Sequence, residues 1–217
     1  MSYGMRNPLE GIIRDWGESL PIRIAVCRIL SADCEDQVCR GGDFSRSELL
    51  LAQTYRHSGR RMAWYAGRCA AKSALDLLAP AHAEKKQWEL LRDNQGAPLL
   101  SGGHCMYVSI THSGPWAVAA AAPFPVGIDL ERDEYRPPAL LRYFFTPRER
   151  EWACRGVMTE RVNRLWTRKE AVVKLLGCGG RLPFSGLDVL HGTGSWRCRT
   201  GVANGWVLSV VWGSTDG

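Results

Sequence analysis

Two carboxylates alternate with aliphatic residues in the run Val126-Gly127-Ile128-Asp129-Leu130-Glu131. Side chains alternate across a strand, so Val126, Ile128 and Leu130 would share one face. Asp129 and Glu131 would share the other, ~7 Å apart along the chain. Two carboxylates so placed can converge on one hard cation; the plain alternative is an edge strand whose polar face meets water. A second cluster reads Leu165-Trp166-Thr167-Arg168-Lys169-Glu170-Ala171-Val172-Val173-Lys174. Val162, Leu165, Trp166, Val173 and Leu176 form an apolar stripe at helical spacing, which places Trp166 in the core and Glu170 within or beside the stripe. A carboxylate buried there must be paired or neutralised by a cation. The alternative is an exposed i,i+4 pair with Lys174, worth only ~0.3–0.5 kcal/mol. A third cluster, Ser109-Ile110-Thr111-His112-Ser113, sits at a strand end before Gly114. Its hydroxyls and imidazole can bond phosphate oxygens, or can simply satisfy the backbone of a turn.

The elements that must position these residues follow from periodicity and punctuation. Residues 22–30 read as a strand, 45–58 as a helix with Ser45 at its N-cap, and 61–78 as an Ala-rich helix stopped by Pro80. Short segments follow: 88–91, a turn over 94–98, a strand over 105–110 and another over 116–122. Pro123 and Pro125 punctuate the chain and divide it into residues 1–122 and 123–217. The second part opens on the 126–131 strand and continues with a helix over 137–144. Thr146-Pro147-Arg148-Glu149 then combines a capping box with Pro at the first helical position. A long helix over 160–176 ends at Gly177, and strands over 187–190, 196–199 and 206–212 finish the chain. Each part therefore mixes a small sheet with helices, an α+β arrangement.

Composition narrows the function classes. The 217 residues are 45% hydrophobic and 23% charged, which excludes a disordered chain. No stretch approaches the ~20 apolar residues of a membrane span. The first twenty residues lack the apolar core of a signal peptide, which points to the cytoplasm. A net charge of +6 allows an anionic partner. Eight cysteines occur without a CxxC pair and with mostly apolar neighbours, as expected of buried free thiols rather than a disulfide framework or zinc site. No GxSxG, P-loop or GxGxxG is present, so hydrolase, P-loop and Rossmann readings lack support.

In this order, Thr111-His112-Ser113, Gly127-Ile128-Asp129-Leu130-Glu131 and Trp166 through Lys174 resemble the three motifs of the Sfp-type 4′-phosphopantetheinyl transferases. Supporting matches are Gly67-Arg68 with Ala71, Lys72, Ala74 and Leu75, then Gly96-Ala97-Pro98, then Phe145 with Glu149, so that the likeness runs over residues 44–190. The resemblance implies two similar α+β subdomains about a pseudo-twofold axis, with coenzyme A in the cleft between them. It also implies transfer of 4′-phosphopantetheine to a serine of an apo acyl or peptidyl carrier protein of fatty acid, polyketide or nonribosomal peptide synthesis, releasing adenosine 3′,5′-bisphosphate. Asp129, Glu131 and Glu170 would then hold Mg²⁺, with Mn²⁺ able to substitute. Glu170 is the first choice for the base and Glu131 the second, and Lys174 would contact the pyrophosphate. Glu149 and Lys169 would be structural. Thr111 and His112 would contact coenzyme A. Some members hold its phosphates with lysines where this chain has Glu48, Leu51 and Ala97, so Arg60, Arg61 and His112 become the candidates for the 3′-phosphate. Two halves in one chain imply a monomer, with neither nucleic acid nor membrane as partner. The competing readings are a metal-dependent nuclease, against which the five scattered lysines speak, and a non-catalytic carrier-binding paralogue.

Overall fold

The computed structural model describes residues 7–17, 19–83, 88–103, 105–178, 183–191 and 195–213. The elements are α1 (Glu10–Gly17), β1 (Arg23–Arg28), α2 (Glu35–Gly41), α3 (Arg46–Gln53), α4 (Ser58–Leu78), α5 (Pro80–Ala83), β2 (Leu90–Arg92) and β3 (Pro98–Leu100). They continue with β4 (Tyr107–Ser113), β5 (Trp116–Ala122), β6 (Val126–Arg132), α6 (Pro138–Phe144), α7 (Pro147–Cys154), α8 (Met158–Leu175), β7 (Trp196–Ala203) and β8 (Trp206–Gly213). Two antiparallel three-stranded sheets result, in the orders β1-β5-β4 and β6-β8-β7. In both, the first strand pairs with the last and the middle one lies beyond it, so one topology occurs twice. Residues 123–125 link the sheets.

The alternation of apolar residues along the strands decides the layers. Val118, Ala120 and Ala122 of β5, Ile128 and Leu130 of β6, and Leu208 and Val210 of β8 face one shared core, which Leu9, Ile12 and Trp16 close from the N-terminal side. The opposite faces carry the long helices. Ala70, Ala71 and Ala74 of α4 pack on Ala119 and Ala121, and Leu165, Ala171 and Val172 of α8 pack beside Val211. Small side chains let these helices lie close to the sheets. At Gly127 the approach is extreme: a Cβ there would fall 1.9 Å from the Ala171 carbonyl oxygen of α8. Only glycine permits this contact, and the contact brings Glu170 and Lys174 over the carboxylate face of β6.

A buried polar unit is also built twice. Ser45 and Glu48 form a capping box on α3, and Thr146 and Glu149 form one on α7. In each, the glutamate is fully buried and meets a lysine from the following long helix: Lys72 of α4 at 2.8 Å from Glu48, and Lys169 of α8 at 2.7 Å from Glu149. The second carboxylate oxygen then takes a later backbone N–H, from Leu90 to Glu48 and from Val189 to Glu149. Lys169 also donates to the carbonyls of Phe184 and Leu187. Every charge is partnered, which is the condition under which a buried pair is tolerated. Lys169→Met should therefore cost about 3–5 kcal/mol by stranding Glu149. The urea midpoint would read that loss, and Glu149→Gln added to it should recover part.

Several expectations change on inspection. Residues 187–190 form no strand, because Leu187 and Val189 spend their backbone groups on Lys169 and Glu149 rather than on a ladder. The strand expected over 105–110 is β4 (Tyr107–Ser113), running through Thr111 and His112 to pair Ser113 with Trp116. The helix over 45–58 stops at Gln53 and a new one starts at Ser58, while α1 and α2 were not anticipated. Nor are the thiols buried: all eight are free, Cys105 and Cys154 are exposed and the others are partly exposed. Trp166 lies at the edge of its core rather than within it, and Leu176 is half exposed.

Candidate active site

The edges of the two sheets meet where β4 runs beside β6, and hydroxyls replace the missing ladder. Ser109 Oγ accepts from the Ile128 N–H at 3.1 Å, and Thr111 Oγ1 accepts from the Leu130 N–H at 3.3 Å. Thr111 in turn donates to Asp129 Oδ1 at 3.1 Å. Its hydroxyl is buried and bonded on both sides, so Thr111 fixes the Asp129 carboxylate and ties β4 to β6.

Asp129 is buried on the face of β6 beneath α8. Lys174 Nζ lies 2.7 Å from its Oδ1 and 3.1 Å from the Ile128 carbonyl oxygen. Oδ2 is buried without a hydrogen-bond partner. Glu131 accepts from Trp166 Nε1 at 3.1 Å and pairs with Arg136 at 3.2 Å. Arg136 also stacks over the Trp166 ring, 4.9 Å from its centroid. Glu170 is half buried; burial first, then the Asp129 charge, pushes its carboxyl above the usual range, with Lys174 opposing. Burial and Asp129 push Glu131 the same way, against Arg136 and the Trp166 N–H. The three carboxylates thus sense one another. Lys174 answers Asp129 rather than Glu170, so the surface i,i+4 pair is not what the helix makes.

These residues suit a hard divalent cation in donor chemistry, and the unpartnered Asp129 Oδ2 offers it a first oxygen. They are not gathered into a ready cage: among the described residues no group of three or more His, Cys, Asp or Glu side chains could hold a metal ion. The remaining oxygens would have to come with a substrate or from water.

A cleft opens alongside. A cavity of about 590 Å³ is lined by Arg60, Trp64 and Arg68 of α4, by Arg92, and by Ile110 and His112 of β4. A second cavity of about 230 Å³ shares Gly96, Pro98 and Ile110 with it and reaches Val173 and Lys174. Together they form a path from the arginines to Lys174, whose ammonium pairs with Asp129. Burial pushes the Arg68 guanidinium down to about 10, which leaves it charged at neutral pH; it stacks over Trp64 at 4.9 Å. Burial likewise lowers Arg92, which stacks over Tyr55 at 5.0 Å. His112 projects into the cleft, where desolvation and then the Lys174 ammonium hold its imidazole below its ordinary value.

The structure brings Arg60, His112 and Lys174 to this path; Asp129 joins it through Lys174, Glu131 and Glu170 sense the Asp129 charge, and Glu131 lines a separate cavity with Arg132 and Arg136. The structure does not bring Arg61, whose guanidinium pairs with both oxygens of Glu35 at 2.5 and 2.8 Å and donates to the Tyr55 carbonyl. Glu48 is committed to Lys72 and takes no part. Arg68 was visible only as a motif letter, and Arg92 gave no signal beyond standing before a turn. Trp166 is a positioning residue for Glu131. Trp166→Phe should lower the melting temperature by only a few degrees and turnover about tenfold, because the ring stays packed on Phe144 and Phe184 while Glu131 loses one hydrogen bond.

Two family models match this chain: the 4′-phosphopantetheinyl transferase N-terminal domain over residues 47–122 and the 4′-phosphopantetheinyl transferase superfamily over residues 125–206. A 4′-phosphopantetheinyl transferase of Bacillus subtilis is 31% identical over 97 residues, covering 43% of each chain. The 4′-phosphopantetheinyl transferase gsp of Aneurinibacillus migulanus is 32% identical over 83 residues, covering 37% of this chain and 35% of its own. The matches therefore span less than half the length of these relatives. Among solved structures, a holo-(acyl-carrier-protein) synthase from Bacillus anthracis in complex with CoA (3′,5′-ADP) is 26% identical with a TM-score of 0.37, covering 46% of this chain and 91% of its own. Between them the two models span most of residues 47–206, and the chain belongs to the 4′-phosphopantetheinyl transferase superfamily.

Proposed function

We propose that the protein transfers the 4′-phosphopantetheine group of coenzyme A to a serine hydroxyl of an apo carrier protein and releases adenosine 3′,5′-bisphosphate. The observation that carries this reading is the continuous path from Arg60, Arg92 and His112 to Lys174, which pairs with Asp129, in a chain of this family. A nucleotide with several phosphates suits a wall of fixed guanidinium groups, which bind phosphate in planar, two-pronged fashion. Arg60, Arg92 and His112 hold the nucleotide phosphates. Arg68, behind them, adds charge.

Lys174 moves between Asp129 and the pyrophosphate, and stabilises the phosphate that departs. Asp129, with Glu131 and Glu170 beside it, would hold Mg²⁺; Mn²⁺ has the same preference for oxygen. Such an ion supplies neutralisation of phosphate charge and alignment of attack. Glu170 takes the proton of the attacking serine, directly or through water, because its raised pKa brings it closer to the working pH than an ordinary carboxylate. Glu131 is held by Trp166 and Arg136, which leaves it less free for that work. The +6 charge suits an acidic carrier by speeding encounter, and one chain acts alone. Among the described residues no helix is long and apolar enough to cross a membrane.

Intact-mass measurement on a panel of apo acyl and peptidyl carrier proteins with coenzyme A and Mg²⁺ tests the reading. At least one should gain a phosphopantetheine group, and only when Mg²⁺ is present. If none is modified although coenzyme A binds, the chain is a carrier-binding paralogue. If DNA binds and coenzyme A does not, the nuclease reading replaces this one.

A further inference from the structure

The loop between β6 and α6 is tied to α8 through one buried amide. Asn163, fully buried on α8 one turn before Trp166, spends its whole side chain on this loop. Its Nδ2 donates to Asp133 Oδ1 at 2.9 Å and to the Glu134 carbonyl at 2.8 Å, and its Oδ1 accepts from Arg136 Nε at 2.5 Å. Arg136 is thereby clamped by Asn163 and by the Trp166 ring, and its guanidinium ends 3.2 Å from Glu131 Oε2. It lines a cavity of about 290 Å³ with Glu131, Ser113 and Tyr135, outside the two cavities of the cleft. Its charge reaches Glu170 as well, opposing the rise that burial imposes on the carboxyl pKa of both glutamates.

We infer that Arg136 is a positioning residue: it holds Glu131 in place and supplies a resident positive charge that keeps the carboxylates from taking a divalent cation before the substrate phosphates arrive. This role rests on Asp129, Glu131 and Glu170 holding the cation proposed above, and it adds the order of binding. Two of the three carboxylates already have an answer, Asp129 in Lys174 and Glu131 in Arg136. A lone cation therefore meets a cluster whose attraction is largely cancelled, and at separations of a few ångströms each cancelled charge weighs heavily. The two partners differ in freedom. Lys174 can turn to a phosphate and release Asp129. Arg136 cannot follow, because its Nε is spent on Asn163 and the Trp166 ring covers its face. A guanidinium divides its donors between Asn163 and Glu131 in one fixed plane, which an ammonium does not reproduce. Glu131 keeps its partner, and the substrate phosphates bring the negative charge that the cation otherwise lacks.

Mg²⁺ is titrated calorimetrically into the full chain, into Arg136→Gln and into Arg136→Lys, each without and with saturating coenzyme A. In the unaltered chain coenzyme A should tighten Mg²⁺ binding at least about tenfold, a coupling ordinary for linked sites. Arg136→Gln removes the charge, so Mg²⁺ alone should bind it at least about fivefold more tightly than the unaltered chain. Arg136→Lys keeps the charge and should stay within about twofold of the unaltered chain. Coenzyme A affinity without Mg²⁺ should move by less than about twofold in both variants, since Arg136 lies outside the cleft. A merely structural arginine would show only as a lower melting temperature. Mg²⁺ affinity unchanged or weaker in Arg136→Gln, or Arg136→Lys behaving as Arg136→Gln does, would overturn this role and leave the proposed cation site standing. Mg²⁺ binding the unaltered chain as tightly alone as with coenzyme A would do the same, and that result needs no variant to fold. Mg²⁺ that binds no chain even with coenzyme A would remove the cation site itself, and the role of Arg136 with it.

Discussion

Asp129→Asn should lower single-turnover transfer by at least about a hundredfold and leave the melting temperature of the ligand-free chain unchanged or higher. The two effects part company because of what the carboxylate does in each state. Without ligand, Asp129 is a poor structural element: Oδ2 is buried without a partner, and its charge raises the carboxyl pKa of both Glu131 and Glu170. Asparagine keeps the shape and leaves Oδ1 to accept from Thr111 and Lys174. What it removes is the negative charge and the free acceptor oxygen that a phosphate-bound cation would use. A strained, function-committed group that costs stability is the usual trade at such sites. Near-normal turnover would remove Asp129 from the machinery. A drop of many degrees with the activity would make it a structural residue instead.

The parts of this arrangement that could be read from the sequence are those set by local periodicity. The alternation along Val126 to Glu131 assigned the two carboxylates to one face, and the structure keeps Asp129 and Glu131 beneath α8 as that alternation requires. The Thr146 capping box, the start of α7 and the part Glu149 plays in it were legible for the same reason: they need only residue types at fixed spacing. Depth was not legible. A helical stripe says which way Trp166 faces but not where the core ends, and its N–H went to Glu131 rather than into a packed interior.

Partners across the fold were not legible either. Nothing near Arg61 in the chain announces Glu35, and nothing near Thr111 announces the bare N–H of Leu130 that claims its hydroxyl. The twin of the Glu149–Lys169 unit, Glu48 with Lys72, carried the same signal at Ser45-x-x-Glu48. Aligning Glu48 with positions that hold phosphate in relatives hid it. Its burial shows that position was given over to holding α3 and α4 together.

Glu170→Gln separates the two tasks given to that side chain. Glutamine keeps the shape and one acceptor oxygen but loses the charge and the basicity. If Glu170 both contacts the cation and takes the serine proton, apparent Mg²⁺ affinity should fall and turnover should stay roughly 10²–10⁴ lower even at saturating Mg²⁺. If it only contacts the cation, high Mg²⁺ should restore most of the rate. If it merely sat on a wet surface beside Lys174, neither quantity would move, but Lys174 is 2.7 Å from Asp129 instead.

The pH profile gives an independent reading of the same group. Burial and the Asp129 charge raise the Glu170 pKa, so the carboxylate is protonated at a higher pH than an ordinary glutamate, whose value is about 4.3. A base is lost on protonation. The unaltered chain should therefore lose rate as pH falls through this raised value, beginning above the ordinary carboxylate range. The residual rate of Glu170→Gln should lack that limb, whereas a cation ligand alone would let saturating Mg²⁺ flatten the limb in the unaltered chain as well. Single-turnover rates of both chains across pH, at low and saturating Mg²⁺, decide between them, and a limb that survives unchanged in Glu170→Gln would transfer the proton to Glu131.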